Sequence, residues 1–110
     1  LFAEQKNEEA ISNYKMAIKL YPTHAKAYYN LGIALFAEKK NKEAISNYKM
    51  AIKLNPNFTN AHYNLGYALL QTGEMKEAVP HFRETLRLRP DLVAARDYLE
   101  LARLRLQELE

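Results

Sequence analysis

Apolar residues recur along this chain at three- and four-residue steps, the spacing of one face of an α-helix. Ala27, Leu31, Ala34 and Leu35 form one such stripe, and Ala44, Ile45, Tyr48, Ala51 and Ile52 form another. The spacing predicts helices near 8–20, 25–38, 42–54, 59–72, 75–88 and 92–109, with residues 1–6 as the last turn of a truncated helix. Pro22, Pro56 and Pro90 stop every second helix at the same phase, because proline lacks an N–H and extends the residue before it. Gly73 marks the turn inside the last full helix pair. Pro80 falls early in its helix, where a missing N–H costs least.

The phase has a period. Leu1 to Leu20 reads LFAEQKNEEAISNYKMAIKL, and Leu35 to Leu54 reads LFAEKKNKEAISNYKMAIKL, 34 positions later. Only Gln5/Lys39 and Glu8/Lys42 differ. A period of this length is one supersecondary unit copied along the chain, and such a unit buries its apolar face against its neighbours. Gly32 and Gly66 recur at the same interval in mid-helix, where each costs about 0.5–1 kcal/mol relative to alanine. A close approach between helices is the expected reason.

The 110 residues are the size of one domain. Glycine and proline number only three and four, which favours helices joined by short loops over sheets with many turns. Cysteine is absent, which excludes disulfides and thiolate metal sites and fits a reducing compartment such as the cytoplasm. No apolar run approaches the roughly 20 residues of a membrane span, and no leader is expected of a chain that opens inside a repeat. The net charge is +3, but the lysines are dispersed among glutamates. That is a solvated helix surface, not the concentrated basic stripe of a nucleic-acid binder. All six arginines lie at or after Arg83, so the two halves differ in their choice of cation. Catalysis has little to work with. His24, His62 and His81 show no i, i+4 pairing, and they read as loop, packing and second-helix residues. No nucleophile motif or phosphate-binding glycine loop is present, and neither metal nor cofactor is expected.

Tyr28-x2-Leu31-Gly32-x2-Leu35, followed by Ala44-x3-Tyr48-x2-Ala51 and Pro56, resembles the tetratricopeptide repeat (TPR) signature. The next unit matches through His62, Leu65, Gly66, Leu69, Ala78, Phe82, Thr85 and Pro90, and the first retains Leu1, Ala10, Tyr14, Ala17 and Pro22. Tyr28 and His62 stand where the family usually has tryptophan, and Thr85 replaces a small apolar residue. The resemblance implies an all-α fold, a right-handed superhelix of antiparallel helix pairs with a C-terminal capping helix. It implies one domain over 1–110, divided as 1–24 (truncated first repeat), 25–58, 59–92 and 93–110 (cap). Leu99 keeps the phase in the cap, but Glu100 replaces the glycine.

The same resemblance implies a protein-protein interaction module, not an enzyme, whose concave groove is lined by first helices. The implied groove residues are Lys26, Tyr29, Asn30, Ile33, Phe36 and Ala37 from one unit, and Asn60, Tyr63, Asn64, Tyr67, Leu70 and Gln71 from the next. Asparagine both donates to and accepts from a peptide backbone, and tyrosine gives large contact area with a polar tip. Lys26, Asn30 and Asn64 fall near a carboxylate clamp used by some family members, but its other basic positions are missing. The expected partner is a protein or peptide. Self-association is the alternative. Ile11, Tyr14 and Ile18 lack part of their cover, and Leu101, Leu104 and Leu106 exceed one buried stripe, so the last helix of one molecule would cover the first of another. A designed or recombined chain without a natural ligand, and a targeting fragment of a larger enzyme, are further alternatives.

Overall fold

The computed structural model describes residues 2–109, with side chains described for residues 4–108. Six helices account for nearly all of it: α1 (Phe2–Leu20), α2 (Ala25–Ala37), α3 (Asn41–Leu54), α4 (Thr59–Gln71), α5 (Met75–Leu88) and α6 (Val93–Leu109). No strand occurs among the described residues. The chain forms two compact units, residues 1–56 with α1 to α3 and residues 57–110 with α4 to α6.

In the first unit α2 packs against both α1 and α3. Ala27, Leu31, Ala34 and Leu35 of α2 are buried, as are Ala44, Ile45, Tyr48 and Ala51 of α3. The mid-helix glycine has the packing role expected of it. A Cβ built on Gly32 would lie 2.6 Å from Tyr48 Cε1, so the tyrosine ring rests directly on the α2 backbone. The second unit repeats the device. A Cβ on Gly66 would lie 2.9 Å from Cε1 and Cζ of Phe82, which is fully buried. There α5 packs on α4, and α6 covers α5 with Ala95, Leu99 and Ala102.

Both helix pairs turn through the same C-terminal motif. After α2, the Lys39 N–H donates to Phe36 O (2.9 Å) and the Lys40 N–H to Leu35 O (2.9 Å). After α4, Gly73 donates to Leu70 O (3.1 Å) and Glu74 to Leu69 O (2.8 Å). This is the two-bond cap that needs a left-handed residue at its centre. Gly73 supplies it at φ +80°, but Lys39 must adopt φ +61° with a side chain attached. Pro80 lies in the second turn of α5, on its exposed side.

The first 20 residues depart from the expected pattern. The same tract that breaks at Glu38–Lys40 in its second copy runs unbroken from Phe2 to Leu20 in its first, with no turn separating residues 2–6 from 8–20; Leu1 lies outside the described residues. The local sequence therefore permits the break without dictating it. At Lys39 the left-handed residue costs about 1–2 kcal/mol, offset by the docking of all of α2 on α3. Around residues 4–6 no described helix is docked on α1 in the way that α2 docks on α3, so nothing offsets the turn and the helix runs through. Asn7 instead grips the end of α2. Its Nδ2 donates to Ala34 O (2.9 Å) and to Glu38 Oε1 (2.8 Å).

Candidate functional site

On α2, the residues expected to meet a ligand share the side opposite its buried stripe. Lys26 and Ala37 are exposed, Ile33 is 41% exposed, and Tyr29, Asn30 and Phe36 are half-buried. Tyr29 is propped from beneath by Tyr48, with ring centroids 6.0 Å apart and tilted by 46°. Burial pushes the Tyr48 phenol well above its ordinary value of 10.0, and Tyr29 adds to the rise, so this supporting ring stays uncharged well into the alkaline range.

On α4, Asn60 and Gln71 are exposed and Tyr63, Asn64 and Tyr67 are half-buried. Leu70, also assigned to the groove, is instead buried at 4% exposure and belongs to the core. The tyrosines meet a residue outside the expected groove set. Tyr98 of α6 lies 6.2 Å from Tyr63 and 5.3 Å from Tyr67, ring centre to ring centre, and stacks on Phe82 at 5.8 Å. Tyr63 in turn meets Phe82 edge-on at 6.1 Å. Such tilted and offset pairs favour the ring quadrupoles and hold the cluster rigid. The Tyr63 phenol is raised by burial, then by Tyr98 and Tyr67. The signal for Tyr98 was available: it follows Asn64 by one 34-residue period, as Asn64 follows Asn30. One turn after Tyr98 stands Leu101, 36% exposed, and one turn further Leu104, 48% exposed. These two, expected at a self-association surface, thus extend the aromatic patch along α6. Leu106, Ile11, Tyr14 and Ile18 are half-buried.

The position of the usual tryptophan is handled three ways. Tyr28 donates its hydroxyl to Pro22 O (3.1 Å), and Arg96 donates to Pro90 O (3.3 Å), each tying a first helix to the loop before it. His62 is buried and faces His81, with Nδ1 atoms 3.2 Å apart, so one imidazole donates its proton to the other. This contact joins α4 to α5 and was not foreseen. The sister positions hold Tyr28 and Asn47, so both partners change together. Nearby, Arg87 pairs with Glu84 and holds that exposed carboxylate below its ordinary range. His24 is an exposed residue at the start of α2. Among the described residues, no three of His, Cys, Asp or Glu are grouped to hold a metal ion, and no helix is long and apolar enough to cross a membrane.

Comparison with known proteins agrees with this geometry. A TPR-repeat family model matches residues 1–39 and 34–73, and a tetratricopeptide-repeat model matches residues 59–92. No curated protein matches significantly. Among solved structures, a crystal structure of MamA is 32% identical over 87% of this chain, with a TM-score of 0.84. The chain spans 56% of that MamA chain and 52% of another, little more than half their length. The first TPR of Spaghetti (RPAP3), bound to the HSP90 peptide SRMEEVD, is 27% identical with a TM-score of 0.90, over 96% of this chain and 84% of that one. The Arabidopsis OM64 TPR domain shares the fold at 24% identity and a TM-score of 0.86, over 94% of this chain and 86% of that one.

Proposed function

Since the chain belongs to the tetratricopeptide repeat family, an all-α protein-interaction fold, we propose that it binds a peptide segment or a partner helix on its first-helix faces. Residues Lys26, Tyr29, Asn30, Ile33 and Phe36 serve in the first unit. In the second, Asn60, Tyr63, Asn64, Tyr67 and Gln71 serve together with Tyr98 and Leu101. The observation that carries this reading is the rigid tyrosine cluster of α4 and α6, flanked by exposed or half-exposed amides. Large rings fixed by their neighbours give contact area at low entropic cost, and the amides can read backbone N–H and C=O groups.

The handle on the ligand is its backbone and apolar side chains. Spaghetti's TPR holds a peptide ending in Val-Asp. Here only Lys26, Asn30 and Asn64 answer to a carboxylate clamp, too few cations to make a chain-end carboxylate the main anchor. The chain has no catalytic part in this scheme.

The test is an unbiased pull-down with wild type against the Asn30→Ala/Asn64→Ala double variant, followed by affinity measurement on the captured partner. The double variant should keep its helical circular dichroism and lose the partner. Undiminished capture by the folded double variant would refute the assignment.

A further inference from the structure

The first-helix face of the second unit has a chemistry of its own. Of the six described helices, α4 alone carries no Asp, Glu, Lys or Arg. From Asn60 to Gln71 its half-buried and exposed positions offer amides and the phenols of Tyr63 and Tyr67, with Tyr98 of α6 set against both rings. The rings meet Tyr98 at 52° and 63°, so neighbouring ring planes form open notches. Centroids only 6.2 and 5.3 Å apart leave no enclosed space between the rings for a cation. Burial, then Tyr98 and Tyr67, raise the Tyr63 phenol, so it keeps a proton to donate.

Ligand classes answer differently to such a surface. A helix satisfies its own backbone and presents an apolar stripe, which has little use for polar tips. A β-strand needs a ladder of backbone groups, and a helix face has none to give. A polyproline II segment has no internal hydrogen bonds, and proline has a carbonyl but no N–H, so it asks for donors alone. Its ring is a compact, uncharged body that suits a notch between tilted aromatics and a helix without charge. Length agrees as well: Asn60 to Gln71 spans about 16 Å of helix, the reach of about five polyproline II residues.

We propose that the α4 and α6 face of the second unit takes a proline-rich segment in the polyproline II conformation, with its rings against Tyr67 and Tyr98 and its carbonyls accepting from tyrosine hydroxyls and side-chain amides. This rests on the first-helix reading above and narrows it to one unit and one ligand class.

The probe is a labelled nonaproline peptide, followed by fluorescence anisotropy against the full chain. It should bind saturably, one to one and with little dependence on salt, because α4 has no charge to screen. An alanine-rich helical peptide of equal length should bind at least about tenfold more weakly. Tyr67→Ala should weaken nonaproline binding at least about tenfold, while Tyr29→Ala, in the other unit, should leave it unchanged. Tyr67→Phe keeps the ring packing and removes only a hydroxyl, so it should retain full helicity and weaken binding about two- to tenfold. No saturable binding of nonaproline, equal binding of the helical peptide, or indifference to both Tyr67 variants would overturn the proposal. The Asn30→Ala/Asn64→Ala pull-down separates the two readings: partner loss there, with no binding of nonaproline to wild type, leaves the first-helix reading standing and sinks this one.

Discussion

Gly66→Ala is the sharpest perturbation of the helix-pair joint, because two effects of opposite sign meet at one carbon. Alanine in mid-helix is worth about 0.5–1 kcal/mol over glycine. Against this, the new Cβ would sit 2.9 Å from two ring carbons of Phe82 and 3.0 Å from a third. Comfortable carbon contacts lie at about 3.5–4.0 Å, so either the ring or the helix must move by more than half an ångström. Phe82 has little room to yield, since it is fully buried and held by Tyr63 at 6.1 Å and Tyr98 at 5.8 Å. Overpacking of this kind costs about 1–3 kcal/mol, so the clash should win, with a net loss of about 1–2 kcal/mol. At roughly 4–8 °C per kcal/mol for a chain of about this size, that lowers Tm by roughly 4–16 °C. A double-mutant cycle isolates the cause: in a Phe82→Leu background the shorter side chain leaves space, and Gly66→Ala should become neutral or stabilising. Urea and thermal unfolding followed by circular dichroism give all four stabilities. If Gly66→Ala is as stable as wild type with Phe82 in place, close approach is not the reason for the glycine.

Two further outcomes follow from the turns and the rings. Lys39→Gly relieves a left-handed side chain at φ +61° and should stabilise by about 0.5–1 kcal/mol after the greater entropy of glycine in the unfolded chain is deducted, measured as a higher urea midpoint. The Tyr48 phenol, raised by burial above 10.0, holds its proton more tightly in the folded chain than in the unfolded one, so its share of stability is whole below about pH 10 and falls as pH rises beyond it. Thermal unfolding across alkaline pH should show that fall, and Tyr48→Phe should lessen it; a slope unchanged in Tyr48→Phe would assign it to other groups.

Much of the fold is legible from spacing alone. Pro22, Pro56 and Pro90 place the ends of α1, α3 and α5, and Gly32 and Gly66 mark where rings of the second helices land. These are steric rules of single residues, so one sequence suffices to read them. The turn at residues 38–40 is different. Its twin at residues 4–6 has nearly the same residues and is helical, because a partner helix and not the local chain decides whether the turn forms. Lys39 in a left-handed conformation could have been found only by setting it beside Gly73, one period on. The candidate site was legible where register carried it, at Tyr29, Asn30, Tyr63, Asn64 and Tyr67. Tyr98 was missed because α6 was read as a cap alone, although the period reaches it. The meeting of His62 with His81 depends on packing between α4 and α5, which no periodicity encodes.

Glycine at 32 and 66 and glutamate at 100 make the array unequal in its capacity to lengthen. A second helix packed on α6 in the manner of α3 on α2 would bring its aromatic residue against the Glu100 side chain, where α2 and α4 carry only hydrogen. Insertion of a duplicated unit upstream brings its own glycine. The near-identical tracts at 1–20 and 35–54 lie on that permissive side, where copying of whole units leaves a working joint at once.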